Sequence, residues 1–373
     1  MRIRLPALAL SALLVLPSVG TGPEPAQHAG PTLRPVTGSG ATGAATVGRR
    51  PVVRCRPANP TCWPTAFDVA PDGRIFYVER FTGQVRTHDR RTGADRLWGR
   101  VRGVATAGEQ GLLGLALDPG WPDRRWVYLY YTRAEPLRNL VVRLRRRADG
   151  TLERRVLASV PAATFHNGGA MAFGPDGLLY VVTGDAGDPA RSQDTSSPAG
   201  KVLRMTRWGG VPRDNPFGNR VYSYGHRNSF GLAFDPRTGR LWQTENGPEC
   251  NDEVNRIRRG RNFGWGPSSS CPDTNASGPD PVPPAWLYRT VIAPTGAAFC
   301  QRCGLGSATE GTLLVGAWND GRIRRLTLTA DRLGVRASTI LYDHPSGVLA
   351  LRARPDGPVL FSAPEGIYRL VSA

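Results

Sequence analysis

The stretch "GAMAFGPDGLLYVVTGD", residues 169–185, contains two apolar runs joined by a Pro-Asp-Gly turn. The second run is rich in leucine, valine and tyrosine, which is typical of a buried strand. Asp-Gly is a strong signal for a tight turn between antiparallel strands. The stretch therefore predicts a β-hairpin, with His166 just before its first strand and Asp185 at the end of its second.

Hairpins of the same kind recur along the chain, beginning at Ala66, Leu113, Gly231, Gly311 and Leu349. Each has an apolar strand, a turn built on Pro, Asp or Gly, and a second strand. No long stretch has a helical period. A β-sandwich with long loops is the alternative, but it gives no reason for one hairpin to recur six times. We therefore predict an all-β, six-bladed β-propeller over residues 51–373.

The first residues have the layout of a secretory leader. Arg2 and Arg4 precede an apolar run over residues 5–19, and small residues follow it, which predicts a signal peptide over residues 1–20. Residues 21–50 are rich in Gly, Ala, Pro and Thr and are interpreted as a flexible linker. Because the apolar run is short for a membrane span, we expect a secreted protein with no stable membrane insertion.

The cysteines and the charge fit this interpretation. Six cysteines favour three local disulfides, Cys55–Cys62, Cys250–Cys271 and Cys300–Cys303. A zinc or redox site at the Cys-Gln-Arg-Cys motif is the alternative, which no second such motif supports. The formal net charge is +18, but the arginines are spread along the whole chain. We therefore expect no nucleic-acid partner, and the oligomeric state stays open.

His166 and Asp185 lie at opposite ends of one predicted hairpin, so they can meet in space. A carboxylate that holds one ring nitrogen fixes the tautomer of a histidine, and the other nitrogen can then take a proton from a hydroxyl group. A histidine that only bonds within a blade is the structural alternative. Gly168 and Gly169 favour the chemical role, because they are expected to leave room for a ligand beside the ring.

Further polar segments lie just before or after other predicted strands. Gln110 lies just before the hairpin that begins at Leu113, and Arg227 and Asn228 lie just before the one that begins at Gly231. Arginine can grip a carboxylate at two points, and asparagine can donate and accept, although such residues equally tie loops together. A third segment, residues 245–266, carries an acidic cluster beside Gly-Pro that is compatible with calcium.

Together these segments resemble the soluble quinoprotein glucose dehydrogenases and the related aldose sugar dehydrogenases. The resemblance covers about residues 65–370 and is specific in "GEQGLLGLALDP", "HNGG", "FGPDGLLYVVTGDAGD", "GKVLRM", "GHRN" and "GPECNDEVN". It implies a six-bladed propeller that uses pyrroloquinoline quinone (PQQ) and calcium. The implied reaction oxidises the C1 hydroxyl of an aldose to the lactone by hydride transfer to the quinone, with an external electron acceptor.

The resemblance also implies a role for each matching residue. His166 matches the general base on the anomeric hydroxyl, Asp185 the residue that orients it, and Gln110 a residue near substrate and cofactor. Arg227 and Asn228 match contacts of the quinone. The metal residues are the carbonyls of Gly247 and Pro248 for the calcium that polarises PQQ, and Glu253 for a second, structural calcium.

The chain departs from the family pattern where that pattern has a glutamine, a lysine and two arginines that contact the cofactor. Those positions hold Phe230, Asn319, Gly347 and Leu349. Arg352 and Arg354 come later, and a shift of strand register is expected to be needed to bring them in. An exported PQQ-dependent sugar dehydrogenase is the leading hypothesis. The alternative is a non-catalytic, calcium-binding propeller that has lost tight PQQ binding and binds a carbohydrate or a protein.

Overall fold

The structure is a computed structural model that describes residues 47–55, 62–354 and 356–372. The predicted signal peptide and most of the predicted linker lie outside these residues. Strand β1 begins at Val47, so residues 47–50, assigned to the linker from sequence, belong to a sheet.

The described chain forms six antiparallel sheets of four strands each, which confirms the predicted all-β, six-bladed propeller. The first three sheets contain, from the innermost strand outwards, β2 (Pro64–Val69), β3 (Ile75–Glu79), β4 (Gln84–His88) and β5 (Asp95–Arg100); β6 (Leu112–Leu117), β7 (Trp126–Arg133), β8 (Arg138–Arg146) and β9 (Leu152–Val160); and β10 (Gly168–Phe173), β11 (Leu179–Thr183), β12 (Lys201–Met205) and β13 (Val221–Tyr224). The last three contain β14 (Ser229–Phe234), β15 (Leu241–Glu245), β16 (Asp252–Arg256) and β17 (Trp286–Tyr288); β18 (Pro294–Phe299), β19 (Leu313–Ala317), β20 (Arg322–Leu328) and β21 (Val335–Asp343); and β22 (Ala350–Ala353), β23 (Val359–Ala363), β24 (Gly366–Ser372) and β1 (Val47–Arg54). One short helix, α1 (Ala190–Gln193), follows β11.

The ring of blades is closed by the two ends of the described chain. β1 pairs antiparallel with β24 and so completes the sixth sheet. The innermost strands contact their neighbours around the ring, from β2 through β22 and back to β2. The disulfide Cys55–Cys62 ties the end of β1 to the start of the first blade.

The hairpin of residues 169–185 forms as the sequence predicts, and its strands β10 and β11 are buried between blades. Gly177, at φ 71°, occupies the left-handed turn position that glycine adopts without strain. Met171 and Val181 are fully buried against side chains of the second blade. Full burial of one such side chain contributes about 1.5–3 kcal/mol, so packing between sheets is the main source of stability here.

The fifth repeat is out of phase with the others. The hairpin that begins at Gly311 forms β19 and β20, the second and third strands of its sheet. The innermost strand of this sheet is β18, which precedes the predicted hairpin in the chain. A loop with the Cys300–Cys303 disulfide separates β18 from β19. Cys250–Cys271 is also formed, so all three predicted pairs are confirmed. The Cys300–Cys303 disulfide leaves no thiolate for zinc at residues 300–303.

The topology brings the candidate residues to one end of the propeller. In each sheet the innermost strand begins, and the second strand ends, at the same end, which we call the upper face. Residues before β6, β10 and β14 and after β11 and β15 therefore converge there. A cavity of about 480 Å³, the lower cavity, opens at the opposite end of the central channel. Within the described part of the chain, no helix is long and apolar enough to cross a bilayer.

Candidate active site

His166 and Asp185 are in direct contact on the upper face. His166 Nδ1 lies 2.8 Å from Asp185 Oδ1. Asp185 is completely buried, and its carboxylate accepts two more bonds at 2.8 Å, from Gly187 N to Oδ1 and from Trp265 Nε1 to Oδ2. A fixed acceptor at Nδ1 holds the proton on that nitrogen. Across the described residues nothing bonds to His166 Nε2, so this nitrogen is free to accept a proton.

The backbone of His166 is held in an unusual conformation. Its φ is 60°, a region that non-glycine residues seldom adopt. Its N–H donates to Glu109 Oε2 at 2.7 Å, and its carbonyl accepts from Ala186 N at 3.1 Å. Contacts to two blades therefore fix the direction of the imidazole ring.

Gly168 and Gly169 allow close backbone packing, whereas the sequence predicts that they leave room for a ligand. A Cβ on Gly168 would lie 2.7 Å from Gly184 N, and one on Gly169 would lie 2.8 Å from Leu113 Cβ. Both glycines also have positive φ values. They are needed because neighbouring chain segments approach closely there, and the prediction that they clear space for a ligand is wrong.

A cavity of about 360 Å³, the central cavity, opens at the upper face. This volume is in the range of small-molecule sites. Its walls are mostly apolar and include Trp63, Phe165, Phe230, Trp318 and Leu349, together with Glu109, Arg80 and Arg352. His166 is not part of the wall. Its ring is about 20% exposed, and its chain neighbour Phe165 and its hydrogen-bond partner Glu109 both line the cavity.

Glu109, and not Gln110, faces the central cavity. Gln110 is buried, and its amide bonds Ala107 N and Ala163 O, both at 3.1 Å. These bonds use the side chain to hold a loop, which gives no support to the predicted ligand contact. Glu109 lines the cavity and bonds the His166 backbone. The sequence signal was ambiguous, because adjacent residues in a loop point in different directions.

Asn228 is buried and its amide is already bonded. Its Nδ2 donates to Glu109 Oε2 at 3.0 Å, and its Oδ1 accepts from Gly168 N at 3.3 Å. Asn228 thus joins the second, third and fourth blades beneath His166. These bonds let Asn228 support the residues beside the cavity, and the quinone contact that the resemblance implies for it stays a prediction.

Arg227 lies beside the Asp185–Trp265 pair. Its Nη1 donates to Asn246 O at 3.1 Å and to Gly247 O at 2.7 Å, and its guanidinium lies 5.3 Å from the Trp265 ring centroid. Its Nε is buried without a partner. Desolvation lowers the pKa of Arg227, and the surrounding carboxylates, Asp185 foremost, oppose this shift.

Two of the predicted calcium residues, Gly247 and Glu253, line one small cavity. Gly247 O is occupied by Arg227, so a cation at this carbonyl requires that Arg227 moves away; Pro248 follows in the same half-buried loop. Glu253 lies next to the buried carboxylate of Glu245, and burial raises the pKa of Glu253 to about 8.

A cavity of about 10 Å³, the size of one water molecule or ion, lies between these carboxylates. Its walls also include Asn251, Thr274 and Asn275, together with the positively charged Arg227. Oxygen ligands of this kind suit calcium, so the residues around Glu253 fit a structural cation only when the Arg227 guanidinium turns away. In the described residues no group of three or more His, Cys, Asp or Glu side chains could hold a metal ion, and carbonyl and amide oxygens would have to complete the ligand set.

Where the sequence departs from the family pattern, the structure shows what replaces the cationic residues. Asn319 is exposed. A Cβ on Gly347 would collide with the Trp318 ring, so Trp318 fills the space of a side chain at residue 347. Arg352 lines the central cavity in the observed register of β22 and β23, and the expected register shift is not needed. Arg354 lines the lower cavity instead.

These observations test the fit of the quinone cofactor that the resemblance implies. Aromatic side chains give the central cavity flat apolar walls, and Arg80 and Arg352 give it positive charge. A flat conjugated ring system with carboxylates fits this lining in shape and in charge. Its carboxylates would meet arginines at positions other than those of the family pattern.

Comparisons with known proteins agree with the fold. A sequence profile described as glucose/sorbosone dehydrogenase matches residues 62–369. Quinoprotein glucose dehydrogenase B of Acinetobacter calcoaceticus is 33% identical over 239 residues, 54% of this chain and 50% of that protein. Aldose sugar dehydrogenase YliI of Escherichia coli is 27% identical over 321 residues, 79% of this chain and 85% of that protein. The chain thus aligns with about half the length of the first of these relatives and most of the second.

A solved structure gives the same result. The PQQ-bound aldose sugar dehydrogenase of Streptomyces coelicolor matches with a TM-score of 0.76 at 30% identity, and the match covers 89% of this chain and 99% of that one. The agreement extends over nearly the whole propeller.

Proposed function

The chain belongs to the glucose/sorbosone dehydrogenase family, and on this basis we propose that it is an exported, PQQ-dependent oxidoreductase that converts the C1 hydroxyl of an aldose to the lactone. The family supports a sugar dehydrogenase of the PQQ type. The observation that carries the proposal is the His166–Asp185 pair, which lies beside two residues of the central cavity wall, Phe165 and Glu109.

His166 is the proposed general base. Its Nδ1–H donates to Asp185 Oδ1, so Nε2 has the lone pair that can remove the proton of the sugar hydroxyl. The imidazolium formed in this step lies against the Asp185 carboxylate, which stabilises the positive charge. When bound, the quinone would accept the hydride equivalent released from C1.

Asp185, Trp265 and Glu109 are proposed to position the base. Trp265 and Gly187 fix both oxygens of Asp185, and Glu109 fixes the His166 backbone. Well-oriented groups contribute because little freedom is lost when the substrate binds. Gln110 and Asn228 then act indirectly, as parts of the loops beneath these residues.

Calcium is proposed at two places. Glu253 and the small cavity beside Glu245 would hold a structural ion. The carbonyls of Gly247 and Pro248 would hold an ion near the cofactor once Arg227 leaves Gly247 O, and this arginine could then turn towards an anionic ligand.

The second candidate is a non-catalytic propeller that binds calcium and a carbohydrate or protein partner. The packing of Trp318 over Gly347 and the bond from Arg227 to Gly247 O favour it, because both occupy places that the cofactor or its metal would use. In this candidate the structural cation is kept, and His166 acts as a structural residue instead of a general base.

A comparison of two histidine variants separates the candidates. His166→Gln and His88→Gln are loaded with PQQ and calcium and assayed for aldose oxidation with an artificial acceptor. His88 lies 3.7 Å from the carboxylate of Asp95 on the first blade and is a matched histidine control. Loss of a general base lowers turnover about 10²–10⁴-fold, and only His166→Gln should show it. Equal activity of the two variants, or no oxidation of any aldose by the wild type, contradicts the proposal.

A further inference from the structure

The positive charge of the central cavity comes from two arginines to which the family resemblance gives no role. We propose that Arg80 and Arg352 bind the carboxylates of the cofactor and replace the cationic residues missing at 319, 347 and 349. The inference rests on the proposed function and specifies how this chain would hold its ligand.

Arg352 lies in the middle of the central channel. It is on β22, the innermost strand of the sixth blade, and its Nη2 donates to Met171 O of the third blade at 3.0 Å. Nη1 donates to Leu351 O at 3.2 Å. The guanidinium therefore spans the channel and forms the floor of the central cavity, where it borders the lower cavity as well.

No carboxylate is in contact with Arg352. In the part of the chain that the structure describes, Arg352 makes no ion pair within 4 Å of an acidic group. Asp68 acts on it only from a greater distance, and this carboxylate already accepts bonds from Val69 N and Leu117 N. Desolvation lowers the pKa of Arg352, and a cation in such surroundings is costly unless an anion pairs with it. An anionic ligand in the central cavity would supply the missing partner.

Arg80 forms a second positive point on the wall. Its Nε donates to Gln110 O at 3.0 Å, and its Nη2 contacts Gly108 O. The guanidinium also lies over Trp63 and Phe81, 5.5 and 4.8 Å from their ring centroids. These contacts fix the group rigidly at the cavity wall and use only part of its five N–H donors.

Arg80 likewise makes no ion pair among the described residues. Glu109 is its nearest source of negative charge, and this carboxylate is engaged with His166 N and Asn228 Nδ2. Glu109 is the one carboxylate on the wall of the central cavity, against the two guanidinium groups of Arg80 and Arg352, so the wall has a net positive charge. A neutral sugar could not balance that charge.

The remaining lining defines the class of ligand. Trp63, Trp318, Phe165 and Phe230 offer ring faces and edges to whatever enters the cavity. A flat conjugated acid with at least two carboxylates satisfies the rings and both arginines together. Since Trp318 fills the space next to Gly347, the carboxylate contacts cannot form at residue 347 and must be made at the wall and the floor.

The experiment measures binding and not activity. PQQ is titrated, with calcium held constant, into wild type, Arg80→Met, Arg352→Met and the control Arg354→Met, and quenching of tryptophan fluorescence is followed. Arg354 lines the lower cavity and donates to Ala70 O, so its removal changes the net charge equally but far from the ligand. The uncharged trimethyl ester of PQQ is titrated in parallel.

We expect Arg80→Met and Arg352→Met each to weaken PQQ binding about 10- to 100-fold, the range for a lost charge-assisted hydrogen bond. The ester should bind all four proteins alike, and Arg354→Met should match wild type. Thermal unfolding reports whether each variant folds; if Arg352→Met does not, Arg352→Lys keeps the charge and should bind within about 10-fold of wild type. If wild type binds PQQ and both methionine variants bind it equally well, the inference is wrong and the proposed function stands. If wild type does not bind PQQ, both fail.

Discussion

Replacing Asp185 by asparagine tests the hydrogen-bond network that orients the proposed base. The aspartate accepts three bonds of 2.8 Å from His166, Gly187 and Trp265. An asparagine has only one oxygen. If that oxygen faces His166 and Gly187, its NH₂ group meets the Trp265 N–H, donor against donor. If the amide is reversed, its NH₂ group faces His166 Nδ1, which must then accept, and the proton moves to Nε2.

Either orientation loses at least one bond to a charged acceptor, which costs about 1.5–3 kcal/mol. For catalysis this corresponds to a loss of roughly 10- to 150-fold in kcat/KM, since 1.4 kcal/mol is a factor of ten. The reversed orientation costs more, because Nε2 then has no lone pair for the substrate proton. Both orientations lower stability, because a buried donor has no acceptor.

A second substitution makes the test independent of activity. Trp265→Phe removes the N–H that opposes the asparagine amide. It should destabilise wild type, because Asp185 Oδ2 loses its donor, yet it should cost much less in the Asp185→Asn background. Urea unfolding of the four proteins in this double-mutant cycle should give a coupling of about 1–2 kcal/mol, within the range seen for contacting residues. Additive effects of the two substitutions would refute the network.

Three further predictions concern stability. Burial raises the pKa of Glu253 from 4.5 to about 8, so without calcium the native state retains a proton that the unfolded chain releases, and the stability from this group should fall as pH rises from about 5 to 8. Melting temperatures measured with chelator should show this fall in wild type and not in Glu253→Gln, and calcium should reverse it at pH 8. Lys201 Nζ donates to the carbonyls of Arg191, Ser192 and Ala199, so Lys201→Met should lower the free energy of unfolding in urea by at least about 2 kcal/mol. The control Arg213→Met, at an exposed position, should cost almost nothing, and equal unfolding midpoints of the two variants would contradict a stabilising role of Lys201. Gly347→Arg should lower the melting temperature because Trp318 must be displaced, and Asn319→Lys, at an exposed position, should leave it unchanged; a stable Gly347→Arg protein would show that Trp318 moves freely.

The parts of the molecule that could be predicted from sequence depend on local pattern. The Pro-Asp-Gly sequence predicts the turn of the hairpin of residues 169–185, and the pairing of Gly168 with Thr183 follows from the position of that turn. The closeness of His166 and Asp185 is a consequence of that pairing. The local disulfides are equally short-range, since each joins cysteines that are near in sequence.

The parts that could not be predicted depend on how distant segments pack. Trp265 lies 80 residues from Asp185 in sequence, and no local pattern links the two. Whether Glu109 or Gln110 faces the cavity depends on the course of one loop. The position of Arg352 depends on strand register, because a slip of one residue moves each side chain to the other face of the sheet. In the fifth blade, the loop that contains Cys300–Cys303 separates β18 from the hairpin that the sequence pattern shows, so the pattern does not reveal β18 as the innermost strand.

The most direct test of the central claim is a single turnover without oxygen. PQQ and calcium are added to wild type and to His166→Gln, free cofactor is removed, and an aldose is mixed in while the quinone absorbance is recorded. We predict that both proteins retain PQQ and that only wild type reduces it rapidly, with one equivalent of lactone formed per bound quinone. Equally fast reduction in His166→Gln, or no reduction in wild type by any aldose, would contradict the claim that His166 is the base of a sugar dehydrogenase.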